Sequence, residues 1–82
     1  MLIRPLHKRL VDYVGQHNLT KLWNKQKRLF ELNPLHPSLH TELLEPKQYK
    51  IYSFRLSRKY RAIFVYRGID QIEIIDINDH YQ

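Results

Sequence analysis

The chain has 82 residues, with 14 lysines and arginines against 8 aspartates and glutamates, a formal charge of +6 at pH 7. A chain of this length makes one domain with a small core, burying about 60 to 65% of its unfolded surface, and its charge favours nucleic acid or an acidic protein as partner. With no cysteine, disulfide frameworks and thiolate metal sites are excluded. No apolar run after Met1 reads as a leader or approaches the ~18 residues of a membrane span, so a cytoplasmic location without membrane association is expected.

Pro5 suits a first helical turn, and Leu6, Leu10, Tyr13 and Val14 recur at helical spacing until Gly15, so a helix is expected over 5–16. A second, capped by Asn18 or Thr20, is expected over 19–32, where Leu19, Leu22, Trp23, Gln26, Leu29 and Phe30 alternate with Lys21, Lys25, Lys27 and Arg28. Asn33 and Pro34 stop it, and the short link makes the pair an antiparallel hairpin. Trp23 reads as packing rather than as a stacking platform; the basic side is a solvated face on which Lys25 and Arg28 also suit nonspecific phosphate contact.

Pro34, His36, Pro37 and Ser38 end the helical texture, and Leu39 to Glu45 offers a short edge strand that Pro46 breaks. Strands are expected over 50–56, 60–67 and 72–77, joined by the short turns Ser57 to Lys59 and Gly68 to Asp70. The expected fold class is therefore α+β: an N-terminal helical hairpin packed on a small, mainly antiparallel sheet of three to four strands.

Register converts this pattern into chemistry. A loop of Ser57, Arg58 and Lys59 sets Leu56 opposite Tyr60 and Arg55 opposite Arg61, a like-charge pair that is tolerable when solvated, paired with carboxylates or waiting for an anion. A type II′ turn at Gly68 pairs Arg67 with Asp70 and Arg61 with Asp76. Tyr60, Ala62, Phe64, Tyr66, Ile75 and Ile77 then face the helices, while Arg55, Arg61 and Asp76 share the open face, which continues by twos through Asn78 to His80. Cleaving a phosphodiester by its neighbouring 2′-hydroxyl needs a base, cations for the phosphorane and an acid for the leaving 5′-oxygen. Arginine forks match phosphate oxygens, His80 suits a proton transfer, and Tyr81 suits stacking on a base or orienting a phosphate. Lys50, Arg58 and Lys59 add cations near the strand ends. No cofactor is required, and His7, His17 and His40 read as surface histidines whose spacing matches no zinc motif.

The run Ile51 to Leu56, followed by Lys59 to Phe64 and Ile74 to Tyr81, resembles the RelE/ParE superfamily of type II toxin-antitoxin toxins, over roughly residues 19–82. The resemblance implies an RNase-like toxin that acts on messenger RNA, on or off the ribosome, and is silenced by a cognate antitoxin. It matches Arg61 to the family's arginine at the start of the following strand and Arg55 to a basic position before it. His80 and Tyr81 look like the His-Tyr pair of the YoeB branch, where the histidine is the general acid. His36, before Pro37, resembles a histidine of the YafQ branch and is the candidate base. The YoeB branch's glutamate base falls in this chain's 36–39 region, and Glu42 and Glu45, out of clear register, read as edge charges. The family's long first strand is reduced to Met1 to Ile3. Two alternatives remain: a noncatalytic inhibitor of the gyrase-directed ParE kind, and an inactive module that binds nucleic acid or docks an antitoxin.

Overall fold

The computed structural model describes residues 1–80. Its helices are α1 (Lys8–Gln16) and α2 (Thr20–Leu32), and its strands are β1 (Leu2–Ile3), β2 (Glu42–Leu43), β3 (Tyr52–Arg55), β4 (Arg61–Tyr66) and β5 (Gln71–Asn78). They form one sheet in the order β1-β5-β4-β3-β2. β1 runs parallel to β5 and every other neighbouring pair is antiparallel. The sheet thus has five strands rather than three to four. β2 falls within the short edge strand expected over 39–45, whereas β1, two residues long and parallel to β5, is too short to display the alternation by which a strand is recognised.

Both helices turn one stripe to the same sheet face. Leu10 and Val14 of α1, with Leu19 and, from α2, Trp23 and Phe30, are buried against Phe54, Leu56, Ala62, Phe64, Ile72, Ile74 and Ile77. Phe30 lies between two sheet rings, its centroid 5.0 Å from Phe54 and 5.3 Å from Phe64. Trp23 stacks on Phe54 at 6.3 Å, the packing role expected of it. α1 starts at Lys8 rather than residue 5, because His7 is extended at ψ 151° and sends its ring across to Glu73. Neither Asn18 nor Thr20 caps α2. Asn18 takes the left-handed φ of 55°, which asparagine tolerates, and buried Leu19 enters the helix without a side-chain cap. Burial of a leucine, not capping, sets that corner. Leu19, Trp23, Gln26 and Phe30 share the core side, so Lys21, Lys25 and Arg28 are left on the solvent side.

The β3–β4 hairpin has the expected register, with Arg55 opposite Arg61 and Leu56 N–H donating to Tyr60 O at 3.0 Å. Ser57 Oγ closes the loop by accepting from the Lys59 and Tyr60 N–H groups. The β4–β5 register differs. Arg67 N–H donates to Gln71 O, so the turn holds the residues 68–70 and Arg67 does not face Asp70; Gly68 adopts φ 80°, open to glycine at no steric cost. A bulge then skips Ile75, since Phe64 pairs with Ile74 and Ile63 with Asp76. The two shifts place Arg61 opposite Asn78, not Asp76. The bulge also swaps the strand's phase: Ile72, Ile74 and Ile77 face the helices, whereas Ile75 is only half-buried and its carbonyl accepts from Arg9 at 2.7 Å.

On the far side of β5, Glu73 accepts from His7 at 2.8 Å and Arg67 at 2.7 Å, and these bonds hold its carboxyl below the usual carboxylate range. A lowered folded-state value contributes stability above the ordinary carboxylate value that is lost as the pH falls through the lowered one. Circular dichroism melts between about pH 5 and 3 should therefore show wild type losing midpoint more steeply than Glu73→Gln. Parallel curves would remove Glu73 as a source of acid sensitivity.

Candidate functional site

The sheet face away from the helices collects polar groups in register. Directly opposed residues share a face, so Glu42 opposite Ser53, Ser53 opposite Ile63, Arg55 opposite Arg61 and Arg61 opposite Asn78 align Glu42, Ser53, Arg55, Arg61 and Asn78 on it. Asp76, opposite Ile63, joins them.

Arg61 is 3% exposed. Its guanidinium reaches across β3, donating from Nε to Ser53 Oγ at 3.0 Å and from Nη2 to Ser53 Oγ at 2.9 Å and to the His40 carbonyl at 2.6 Å. That carbonyl ends a 3-10 turn, Pro37–Leu39, after which His40 adopts a left-handed φ of 46°. The arginine pair avoids mutual repulsion because Arg61 is folded down onto β3 and the residues leading into β2, while Arg55 remains half-exposed. Glu42 pairs with Ser53, so β2 ends short of Arg55. The Arg55 carbonyl is instead satisfied by buried Gln26, whose Nε2 donates at 2.8 Å. α2 thereby fixes the backbone that carries Arg55.

At the other end of this face, Asn78 donates to Asp76 at 2.8 Å and accepts from the His80 N–H at 3.2 Å. Asp76 lies 3.6 Å from Arg9, the ion pair that replaces the expected one with Arg61. Lys59 from the β3–β4 loop lies 3.8 Å from Asp79, which brings the loop carrying Arg58 and Lys59 beside His80. The His80 ring is 85% exposed, with Nε2 3.9 Å from Asp79. Behind the same corner, Tyr13 stacks on His17 at 4.0 Å and Tyr60 OH bonds His17 Nδ1 at 3.2 Å. Burial first, then Tyr60, Asp79 and Asp76, raise the Tyr13 phenol above its ordinary value.

The structure thus brings Arg55 and Arg61 onto one face, with β5 leading to His80 at its end and the His36 turn attached through His40. Lys25 and Arg28 sit elsewhere, on the solvent side of α2, where with Lys21, Asn24, Leu29 and Leu32 they line a separate groove. Lys50 is exposed just before β3, in a left-handed conformation at φ 55°. Tyr81 lies outside the described residues. Sequence reasoning missed Glu42, the carboxylate that pairing with Ser53 places on this face. A two-residue strand entered from a left-handed residue gives no pattern from which that side could be inferred. Among the described residues no cluster of three or more acidic or histidine side chains could hold a metal ion, and no helix is long and apolar enough to cross a membrane.

No family model matches the chain. An uncharacterized protein of Haemophilus influenzae is 57% identical over 32 residues, 39% of this chain and 32% of that protein, so the matched part is about a third of the relative's length. Solved structures align over nearly the whole chain. A YoeB/ParE toxin from Agrobacterium tumefaciens superposes with a TM-score of 0.72 at 16% identity, covering 98% of this chain and 96% of the other. The YoeB-YefM complex from Staphylococcus aureus gives 0.69 at 22% identity, with 98% and 94% covered, and the YoeB dimer from the same organism gives 0.70 at 20%, with the same coverage. The helical hairpin on a five-stranded sheet thus shares its fold with these YoeB/ParE and YoeB structures.

Proposed function

We propose that this chain is the toxin of a type II toxin-antitoxin pair, a metal-independent endoribonuclease that cuts messenger RNA, on the ribosome or free. The observation that carries this reading is the open face itself: a carboxylate at Glu42, guanidinium groups at Arg55 and Arg61, and a strand that leads on to the imidazole of His80. Glu42 takes the proton of a 2′-hydroxyl, whose oxygen then bonds to the adjacent phosphorus. Arg55, with Arg61 behind it, balances the charge that builds on the phosphorane oxygens. His80 gives a proton to the 5′-oxygen as its bond to phosphorus breaks, leaving a 2′,3′-cyclic phosphate and a 5′-hydroxyl. Arg58 and Lys59 beside His80, with Lys50 ahead of β3, attract the RNA backbone, Lys25 and Arg28 add charge on the helix side, and Tyr81 stacks on a base. The cognate antitoxin covers this surface, a partnership supported by the YoeB-YefM toxin-antitoxin heterotetramer from Staphylococcus aureus.

The direct test is to induce the chain and map messenger RNA ends by primer extension. Growth arrest with new cyclic-phosphate ends is the expected result, and purified protein should cut equally well in EDTA. Intact RNA accompanied by lost DNA supercoiling would select a gyrase-directed inhibitor instead.

A further inference from the structure

His36 heads the 3-10 turn Pro37–Leu39, and its Nδ1 lies 3.1 Å from the Ser38 backbone nitrogen and 3.1 Å from Ser38 Oγ. A backbone N–H can only donate, so Nδ1 is the bare nitrogen and the proton of the neutral ring sits on Nε2. Among the described residues Nε2 has no hydrogen-bond partner. The turn that carries the ring is held at several points. His36 N–H donates to Asn33 O at 3.0 Å, Thr41 Oγ1 donates to Pro34 O at 2.7 Å, Leu39 is fully buried, and Arg61 grips the His40 carbonyl. The imidazole is therefore set in one tautomer on a turn anchored to the open face.

We propose that His36 acts on RNA as a neutral hydrogen-bond donor, presenting Nε2–H to a phosphate or sugar oxygen, with Ser38 as the residue that positions it. This rests on the ribonuclease reading and differs from the candidate base role expected of His36 from the sequence. A base needs a bare nitrogen facing the substrate. Here the bare nitrogen is occupied by Ser38, and baring Nε2 would move the proton to Nδ1, against the Ser38 N–H. An asparagine at this position keeps an acceptor where Nδ1 stands, preserving the cap, but has nothing at Nε2. A glutamine puts an amide near Nε2 and forfeits the cap.

Two measurements on the full chain test this. Nitrogen-15 NMR of the histidine rings at neutral pH should show His36 protonated at Nε2 and bare at Nδ1, unchanged in Ser38→Ala, which retains the backbone N–H. Binding and cutting of a fluorescently labelled mixed-sequence oligoribonucleotide should fall about tenfold or more in His36→Asn, which keeps the wild-type melting midpoint. His36→Gln should keep more of both despite a lower midpoint. An Nδ1-protonated ring, or equal losses in the Asn and Gln variants, overturns the donor role. A wild-type chain that neither binds nor cuts the oligonucleotide overturns the ribonuclease reading and the donor role with it, whereas a wild type that cuts as well as His36→Asn overturns the donor role alone.

Discussion

Glu42→Gln lowers the rate of RNA cleavage by the purified chain about 10²- to 10⁴-fold, the span expected when a positioned proton acceptor is removed. The substitution keeps the size and shape of the side chain. β2 is held to β3 by backbone pairing at Glu42 with Ser53 and Leu43 with Tyr52, so thermal unfolding should stay near that of wild type. His80→Ala should lose activity on the same scale. Its ring is 85% exposed and buries little, which makes a folding defect a poor explanation for that loss. Gel-resolved initial rates, with circular dichroism melts on the same samples, check both variants. Unchanged rates in Glu42→Gln would leave the alignment on the open face without a catalytic meaning, and unchanged rates in His80→Ala would move the acid elsewhere.

Phe54→Ala has the largest expected effect on stability, a loss of about 3 to 5 kcal/mol. The ring is fully buried and stands within 5.0 Å of Phe30, 5.8 Å of Phe64 and 6.3 Å of Trp23, centroid to centroid. Its removal leaves three aromatic neighbours around a void that β3, fixed between β2 and β4, cannot close. In a domain of this size each kcal/mol moves the melting midpoint by about 4 to 8 °C, so the midpoint should fall by about 12 °C or more. Tyr49→Ala is the matched control, since that ring is 65% exposed and its loss should change stability by no more than about 0.5 kcal/mol. Equal midpoints for the two variants would mean that the stacked rings do not anchor the core.

The pairing of Arg55 with Arg61 is legible from the chain because a loop bounded by Leu56 and Tyr60 admits that register and keeps Phe54 and Ala62 on the core side together. The partner of Arg61 on β5 is not. Whether Gly68 opens a turn of two residues or three depends on backbone angles that several sequences share, and the bulge at Ile75 sits in an isoleucine pair whose two members look alike. Only the packed structure decides which of them faces Phe64. The errors of the turn and the bulge run in the same direction and sum to an even shift, so Arg61 still meets a residue of the open face. Glu42 illustrates the opposite case. Its placement depends on the left-handed turn at His40 and on Arg61 gripping that carbonyl, a contact between residues 21 apart that no local pattern announces.

Arg9 has a consequence for how copies of the chain meet one another. Among the described residues β1 pairs with Gln71 and Ile72 of β5 and no strand pairs with the rest of that side of β5, which leaves the kind of border along which sheets of separate molecules join. The guanidinium of Arg9 occupies the Ile75 carbonyl there and holds a charge beside Asp76, and the bulge twists the border out of line. An incoming strand would have to displace a cation and match an irregular ladder, which protects the isolated chain from growing into a larger sheet.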